Sequence, residues 1–87
     1  MDEIRTPAED DAAIEAAVLR QVLTLHPVQL TIEELLRELG ADPEDFAQRD
    51  AVERAVRDLA AAGLVHRLDD FALPSRAALR FSELMEK

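Results

Sequence analysis

The sequence contains no cysteine, tryptophan or tyrosine, and its only aromatic residues are three phenylalanines. The absence of cysteine excludes a disulfide framework and a thiolate metal site. Three phenylalanines do not make the base-stacking platform on which binders of single-stranded nucleic acid depend. Long apolar runs are missing too: none approaches the ~20 residues of a membrane span, and Met1–Arg5 lacks the apolar core of a signal peptide. We therefore expect a soluble, cytoplasmic protein with no membrane partner.

Basic residues are also scarce. The 87 residues include ten basic and 19 acidic ones, which gives a formal net charge of −9. Because nucleic-acid affinity depends largely on neutralising phosphates, this balance argues against a free-standing, tight binder of DNA or RNA. Residues 1–15 hold six acids and one base, whereas residues 65–87 hold four of each. The apolar content of 48% predicts one globular domain over residues 6–87, after a disordered or frayed segment at residues 1–5.

Patterns typical of enzymes are absent from the sequence. The two histidines, His26 and His66, are far apart, and no P-loop, dinucleotide-binding glycine pattern, HExxH spacing or Ser/His/Asp order occurs. His66 with Asp69 and Asp70 has the chemistry to hold a cation, but an ordinary strand and turn is the favoured interpretation. We predict a non-enzymatic protein with no catalytic residue, cofactor or metal site.

The clearest pattern lies in residues 50–73, where a helix is followed by a glycine and a hairpin. At about 100° per residue, five apolar side chains fall on one face of this helix: Val52, Ala55, Val56, Leu59 and Ala60. Asp50, Glu53, Arg54 and Arg57 fall on the opposite face. Gly63 ends the helix, and Asp69-Asp70 forms a tight turn between two short strands.

The remaining chain predicts three further helices and one short strand. The first helix ends near Leu25, and Val28-Gln29-Leu30 is a candidate edge strand beside the hairpin. A capping box at Thr31–Glu34 begins the second helix, and the third begins near Gln48 with Phe46 packed beneath the turn before it. Ser75 caps a last helix with four apolar residues on one face: Ala78, Phe81, Leu84 and Met85. Aliphatic side chains from all four helices are expected to meet in one interior.

This order of helix, short strand, two helices, hairpin and helix is similar to that of the winged helix-turn-helix superfamily, and the chain resembles a small, bacterial-type member. The matching residues are Leu30-Thr31 before Glu34-Leu35, Leu39-Gly40, Leu59 to Leu64-Val65, and the hairpin; they span roughly residues 14–85. The resemblance implies a mainly α fold with a small β wing, in the order H1-S1-H2-H3-S2-S3-H4. It also implies a DNA-binding-like regulatory role of the transcription-regulator type, with the third helix in the major groove and the wing on the DNA backbone or minor groove.

Transferred to this chain, the resemblance implies six contact residues for nucleic acid or another partner: Gln48, Arg49, Arg54, Arg57, His66 and Arg67. Arginine reads guanine and glutamine reads adenine in the major groove. A grouping of Arg67 with Arg76 and Arg80 would add a positive patch if the hairpin folds beside the last helix. The third helix also carries four acid–base pairs at i, i+4 spacing: Arg49–Glu53, Asp50–Arg54, Glu53–Arg57 and Arg54–Asp58.

Such pairs favour an alternative: an acidic protein–protein interaction or dimerisation module that does not bind DNA and meets a basic protein partner. The first helix adds a second possibility for association, because it has an apolar stripe on each of two sides. One stripe consists of Ile14, Ala17, Val18, Val22 and Leu25, and the other of Ala12, Ala16, Leu19 and Leu23. The second stripe is either buried in the domain or forms a homodimer through helix 1.

Overall fold

The computed structural model describes residues 7–86, so the predicted frayed segment at residues 1–5 lies outside the described residues. The described chain is mainly helical with one small antiparallel sheet. Its elements are α1 (Pro7–Leu25), β1 (Leu30–Thr31), α2 (Ile32–Glu38), α3 (Phe46–Ala61), β2 (Val65–Leu68), β3 (Phe71–Pro74) and α4 (Arg76–Met85). This is the predicted order of helices and strands.

The three strands form a sheet in the order β1-β3-β2. Strand β3 lies in the centre, with Leu30 of β1 and Arg67 of β2 both opposite Ala72. The hairpin turn at Asp69-Asp70 is as predicted, and Asp69 has a φ of 53°, a left-handed conformation that aspartate tolerates better than most residues. The edge strand begins later than predicted, because the Val28 N–H donates to the Leu25 carbonyl at 2.8 Å in the turn that closes α1.

Side-chain caps fix where the helices begin. The predicted capping box is present at α2: the Thr31 hydroxyl accepts from the Glu34 N–H at 3.1 Å, and the Glu34 carboxylate accepts from the Thr31 N–H at 2.9 Å. The Ser75 hydroxyl accepts from the Ala78 N–H at the start of α4. The third helix begins at Phe46 rather than near Gln48, because the Asp45 carboxylate accepts from both the Ala47 and the Gln48 N–H.

The hydrophobic core is built from α1, α2, α3 and the inner face of the sheet. The predicted apolar face of α3 is confirmed, with four of its residues buried and Ala60 packed against them. The buried cluster consists of Val18, Val22, Leu30, Ile32, Leu35, Leu36, Val52, Ala55, Val56, Leu59, Val65 and Ala72. Because α3 packs on α1, on α2 and on β2, only its remaining side reaches solvent.

Two predictions about the core are wrong. Phe46 is 88% exposed instead of packed beneath a turn. As the first residue of α3 it lies about 120° around the helix from Val52, outside the arc that faces the core. Helix α4 contributes less than expected: Ala78 is buried, but Phe81, Leu84 and Met85 are all more than half exposed. The interior is therefore shared by three helices and the sheet.

Candidate functional site

The solvent-facing side of α3 holds the predicted polar residues. Asp50, Arg54 and Arg57 are exposed there, and Glu53 is half-buried at the edge next to the sheet. This arrangement follows from the helical period, because the opposite side of α3 is the one that packs into the core. The structure thus presents these four side chains on one surface, which with the β2–β3 hairpin we call the α3–hairpin face.

Gln48 and Arg49 have local roles near the start of α3. The Gln48 side-chain carbonyl accepts from the Asp42 N–H at 2.8 Å, and its amide group donates to the Asp45 carboxylate at 3.3 Å. Arg49 is half-buried and donates to the Pro43 carbonyl at 3.4 Å. Both side chains therefore hold the loop between α2 and α3, which limits their reach toward a partner.

Arg54 lies between two carboxylates. Its guanidinium is 3.7 Å from Asp50, one turn earlier on α3, and 3.8 Å from Asp11 on α1. Of the four i, i+4 pairs predicted on α3, Asp50–Arg54 is the one that the described residues bring within 4.0 Å. The contact to Asp11 is new, because it joins positions 43 residues apart that only the packing of α1 on α3 brings together.

The hairpin carries the other two predicted contact residues. Arg67 donates to the Asp69 carbonyl at 2.9 Å, and its guanidinium is 3.7 Å from the Asp70 carboxylate. The acidic turn therefore holds the arginine of its own hairpin. His66 is exposed and lies opposite Leu73 on the other face of the sheet, because successive residues of a strand point to opposite sides.

Arg57 and Arg67 meet at a small cavity between α3 and β2. The cavity has a volume of about 250 Å³, and its other lining residues are Glu53, Val56 and Ala60. Arg67 reaches it because its position in β2 is opposite the buried Ala72, so that it lies on the side of the sheet that faces α3. The helix that carries Arg76 and Arg80 packs on α1, and the predicted grouping of these two residues with Arg67 stays a prediction.

A larger open groove of about 420 Å³ lies between α1, α3 and the loop that follows α2. Its lining is mostly apolar: Asp10, Ala13, Ile14, Ala17, Leu39, Ala41, Gln48, Ala51 and Val52. Sequence reasoning did not find this groove. The available signal is the set of four alanines, because small side chains on facing elements leave space that leucine or isoleucine would fill.

The four predicted dimer-face residues of α1 differ in their exposure to solvent. Ala12 and Ala16 are exposed, whereas Leu19 and Leu23 are half-buried. Leu19 packs against the core cluster, and Leu23 lines a crevice with Ser82 of α4 and with Glu86, the residue that follows this helix. The chain's own fold therefore covers part of the second stripe, and the homodimer through helix 1 stays a prediction.

Among the described residues, Glu34 in the cap of α2 has a shifted pKa. Hydrogen bonds from the Thr31 backbone N–H and then from its side chain keep the pKa of Glu34 below its usual value. Burial opposes them, and nearby Arg37 has the smallest effect, which also lowers the pKa. Within residues 7–86 no group of three or more His, Cys, Asp or Glu side chains could hold a metal ion. Over the same residues, no helix has both the length and the apolar character needed to cross a membrane.

Compared with known proteins, the chain matches no family model, no curated protein and no solved structure.

Proposed function

We propose that the chain is a non-enzymatic, winged-helix regulatory module that contacts a macromolecule through the α3–hairpin face. Two observations support the winged-helix assignment. The elements follow the order of that class, and β2 of the β2–β3 hairpin packs against α3. In this class α3 is the helix that enters the major groove and the hairpin is the wing.

The proposed contact with DNA depends on the positions of Arg57 and Arg67. These side chains come from the two elements that touch DNA in winged-helix regulators, and they line one cavity. Two guanidinium groups at one site suit the phosphate backbone, which supplies most of the affinity of protein for DNA. Arg49 and Arg54 contact Pro43, Asp11 and Asp50, and Arg67 contacts Asp69 and Asp70. Among the described residues of this face, Arg57 is the arginine with no ion pair within 4.0 Å, so Arg57, with Arg67 beside it, carries the proposal.

The test is a titration of a fluorescent, mixed-sequence DNA duplex of about three helical turns with the full chain. We expect binding that weakens steeply between about 50 and 200 mM salt, and a loss of affinity with a shallower salt slope in Arg57→Ala/Arg67→Ala. The matched control is Arg37→Ala, which removes an exposed arginine paired with Glu33 on α2. Failure of the wild-type chain to bind at the lower salt concentration would contradict the DNA-binding mode.

A second partner, a basic protein surface, is favoured by a different observation. Phe46 is 88% exposed at the start of α3, with Asp42, Glu44, Asp45 and Asp50 nearby in the sequence. An exposed aromatic side chain in an acidic stretch of the sequence is suited to a partner that offers an apolar pocket with a basic rim. In this mode Phe46→Ser weakens binding to a lysine- and arginine-rich amphipathic peptide, whereas Arg57→Ala/Arg67→Ala leaves it unchanged or strengthens it.

A further inference from the structure

The turn of the β2–β3 hairpin places a negative charge beside the arginine of its own strand. The Arg67 guanidinium donates to the backbone carbonyl of Asp69 at 2.9 Å and lies 3.7 Å from the Asp70 carboxylate. The Asp70 side chain is 69% exposed, whereas that of Arg67 is 37% exposed and lines the cavity between α3 and β2. The turn therefore supplies Arg67 with an anion before any partner arrives.

Arg57, which lines the same cavity from α3, is in a different position. Among the residues that the structure describes, no carboxylate lies within 4.0 Å of its guanidinium, although Glu53 is part of the cavity lining. The two arginines of the proposed DNA contact thus differ. Arg57 is open to an incoming phosphate, whereas Arg67 already has a neighbouring anion.

We propose that the Asp70 carboxylate is an autoinhibitory anion, which competes with a DNA phosphate for Arg67. This inference rests on the proposed contact of Arg57 and Arg67 with DNA. A phosphate that reaches the Arg67 guanidinium meets a like charge next to it, so the carboxylate has to move away or the phosphate stays more distant. Because an exposed ion pair is weak, the competition lowers the affinity for DNA but does not abolish binding.

The competition has a signature in the salt dependence of binding. Salt screens the pair of Arg67 and Asp70 as well as the contact of Arg67 with phosphate, so the two effects partly cancel. Without the carboxylate, Arg67 acts as a free cation that releases a counterion when it neutralises a phosphate. Loss of the carboxylate therefore strengthens binding most at low salt, and it steepens the salt slope by as much as about 0.9, the value of one phosphate contact.

Titration of the fluorescent DNA duplex with the full-length Asp70→Asn variant tests the proposal. The matched control is Asp69→Asn, which removes the same charge one residue away and keeps the backbone carbonyl that accepts from Arg67. Asparagine also tolerates the positive φ at this position. At about 50 mM salt we expect Asp70→Asn to bind about two- to fivefold more tightly than Asp69→Asn, with the steeper salt slope.

Equal binding by the two variants overturns the proposal. Weaker binding by Asp70→Asn overturns it as well, because the carboxylate would then position Arg67 for DNA. A double-mutant cycle separates the contact from the general effect of charge: in an Arg67→Ala chain, both substitutions should raise the affinity equally. An advantage of Asp70→Asn that persists without Arg67 contradicts the competition.

These titrations also distinguish the autoinhibitory contact from the proposed function. If the wild-type chain binds DNA and Asp70→Asn matches Asp69→Asn, the DNA contact stands and the competition is overturned. If neither the wild-type chain nor Asp70→Asn binds at low salt, both are overturned. Binding by Asp70→Asn but not by Asp69→Asn or the wild-type chain supports the competition.

Discussion

Helices α3 and α4 are both amphipathic, yet the chain buries the apolar face of one and leaves that of the other in solvent. In α3, four apolar residues are buried between α1, α2 and β2, and its polar side is what remains for a partner. In α4, the buried residue is Ala78, and three large apolar side chains remain exposed. The period of a sequence thus predicts which residues share a face, but whether that face is covered depends on how many elements reach it.

The same substitution in both helices gives the largest expected difference. Leu59→Ala in α3 removes a buried side chain and leaves a cavity, so we expect a loss of about 2–5 kcal/mol in the free energy of unfolding. Leu84→Ala in α4 removes a half-exposed side chain, so the change in dilute, monomeric protein stays within about 0.5 kcal/mol. Urea denaturation measures both. Equal losses for the two variants would mean that α4 is packed as deeply as α3.

The N-caps of α3 and α4 give a second comparison of the two helices, with a smaller expected effect on stability. Asp45→Ala removes the acceptor of two N–H groups at the start of α3 and should lower the free energy of unfolding of the whole domain by about 1 kcal/mol. Ser75→Ala removes the cap of α4, a helix with little burial, so its main effect is local opening. Amide hydrogen exchange separates the two outcomes. Faster exchange confined to α4 is expected for Ser75→Ala, and faster exchange throughout the core would contradict it.

The smallest expected effect is a pH dependence at the cap of α2. Hydrogen bonds from Thr31 lower the pKa of Glu34 in the folded chain relative to the ordinary value of 4.5. The carboxylate therefore adds stability that is fully present above pH 4.5 and is lost as the pH falls below it through the lowered pKa. Thermal melts of the wild-type chain and Glu34→Gln should differ above this range and converge below it. A constant difference at every pH would show that ionisation of Glu34 has no role.

The fold was largely predictable because its signals are local. The capping box at Thr31, the cap at Ser75 and the apolar face of α3 each depend on spacings of two to four residues, and the structure confirms them. The exposed position of Phe46 follows from a start of α3 two residues earlier than predicted. A shift of this size rotates a side chain to another side of the helix.

The candidate site was less predictable because its contacts join distant parts of the chain. The pairing of Arg54 with Asp11 and the meeting of Arg57 with Arg67 exist only after α1 and the hairpin pack on α3. The groove between α1 and α3 is likewise a product of packing, since its small side chains leave space only where α1, α3 and the loop after α2 face one another. The residue types in the sequence indicate candidate contact residues, but the tertiary structure determines which of them are held by neighbours and which face solvent.

The most direct test of the proposed function is an NMR titration of the labelled chain with the DNA duplex. If the α3–hairpin face binds DNA, we expect amide shift changes at Arg57 on the exposed side of α3 and at Arg67 in β2. We expect none in α4. Shift changes confined to α4, or none at any concentration at low salt, would contradict it.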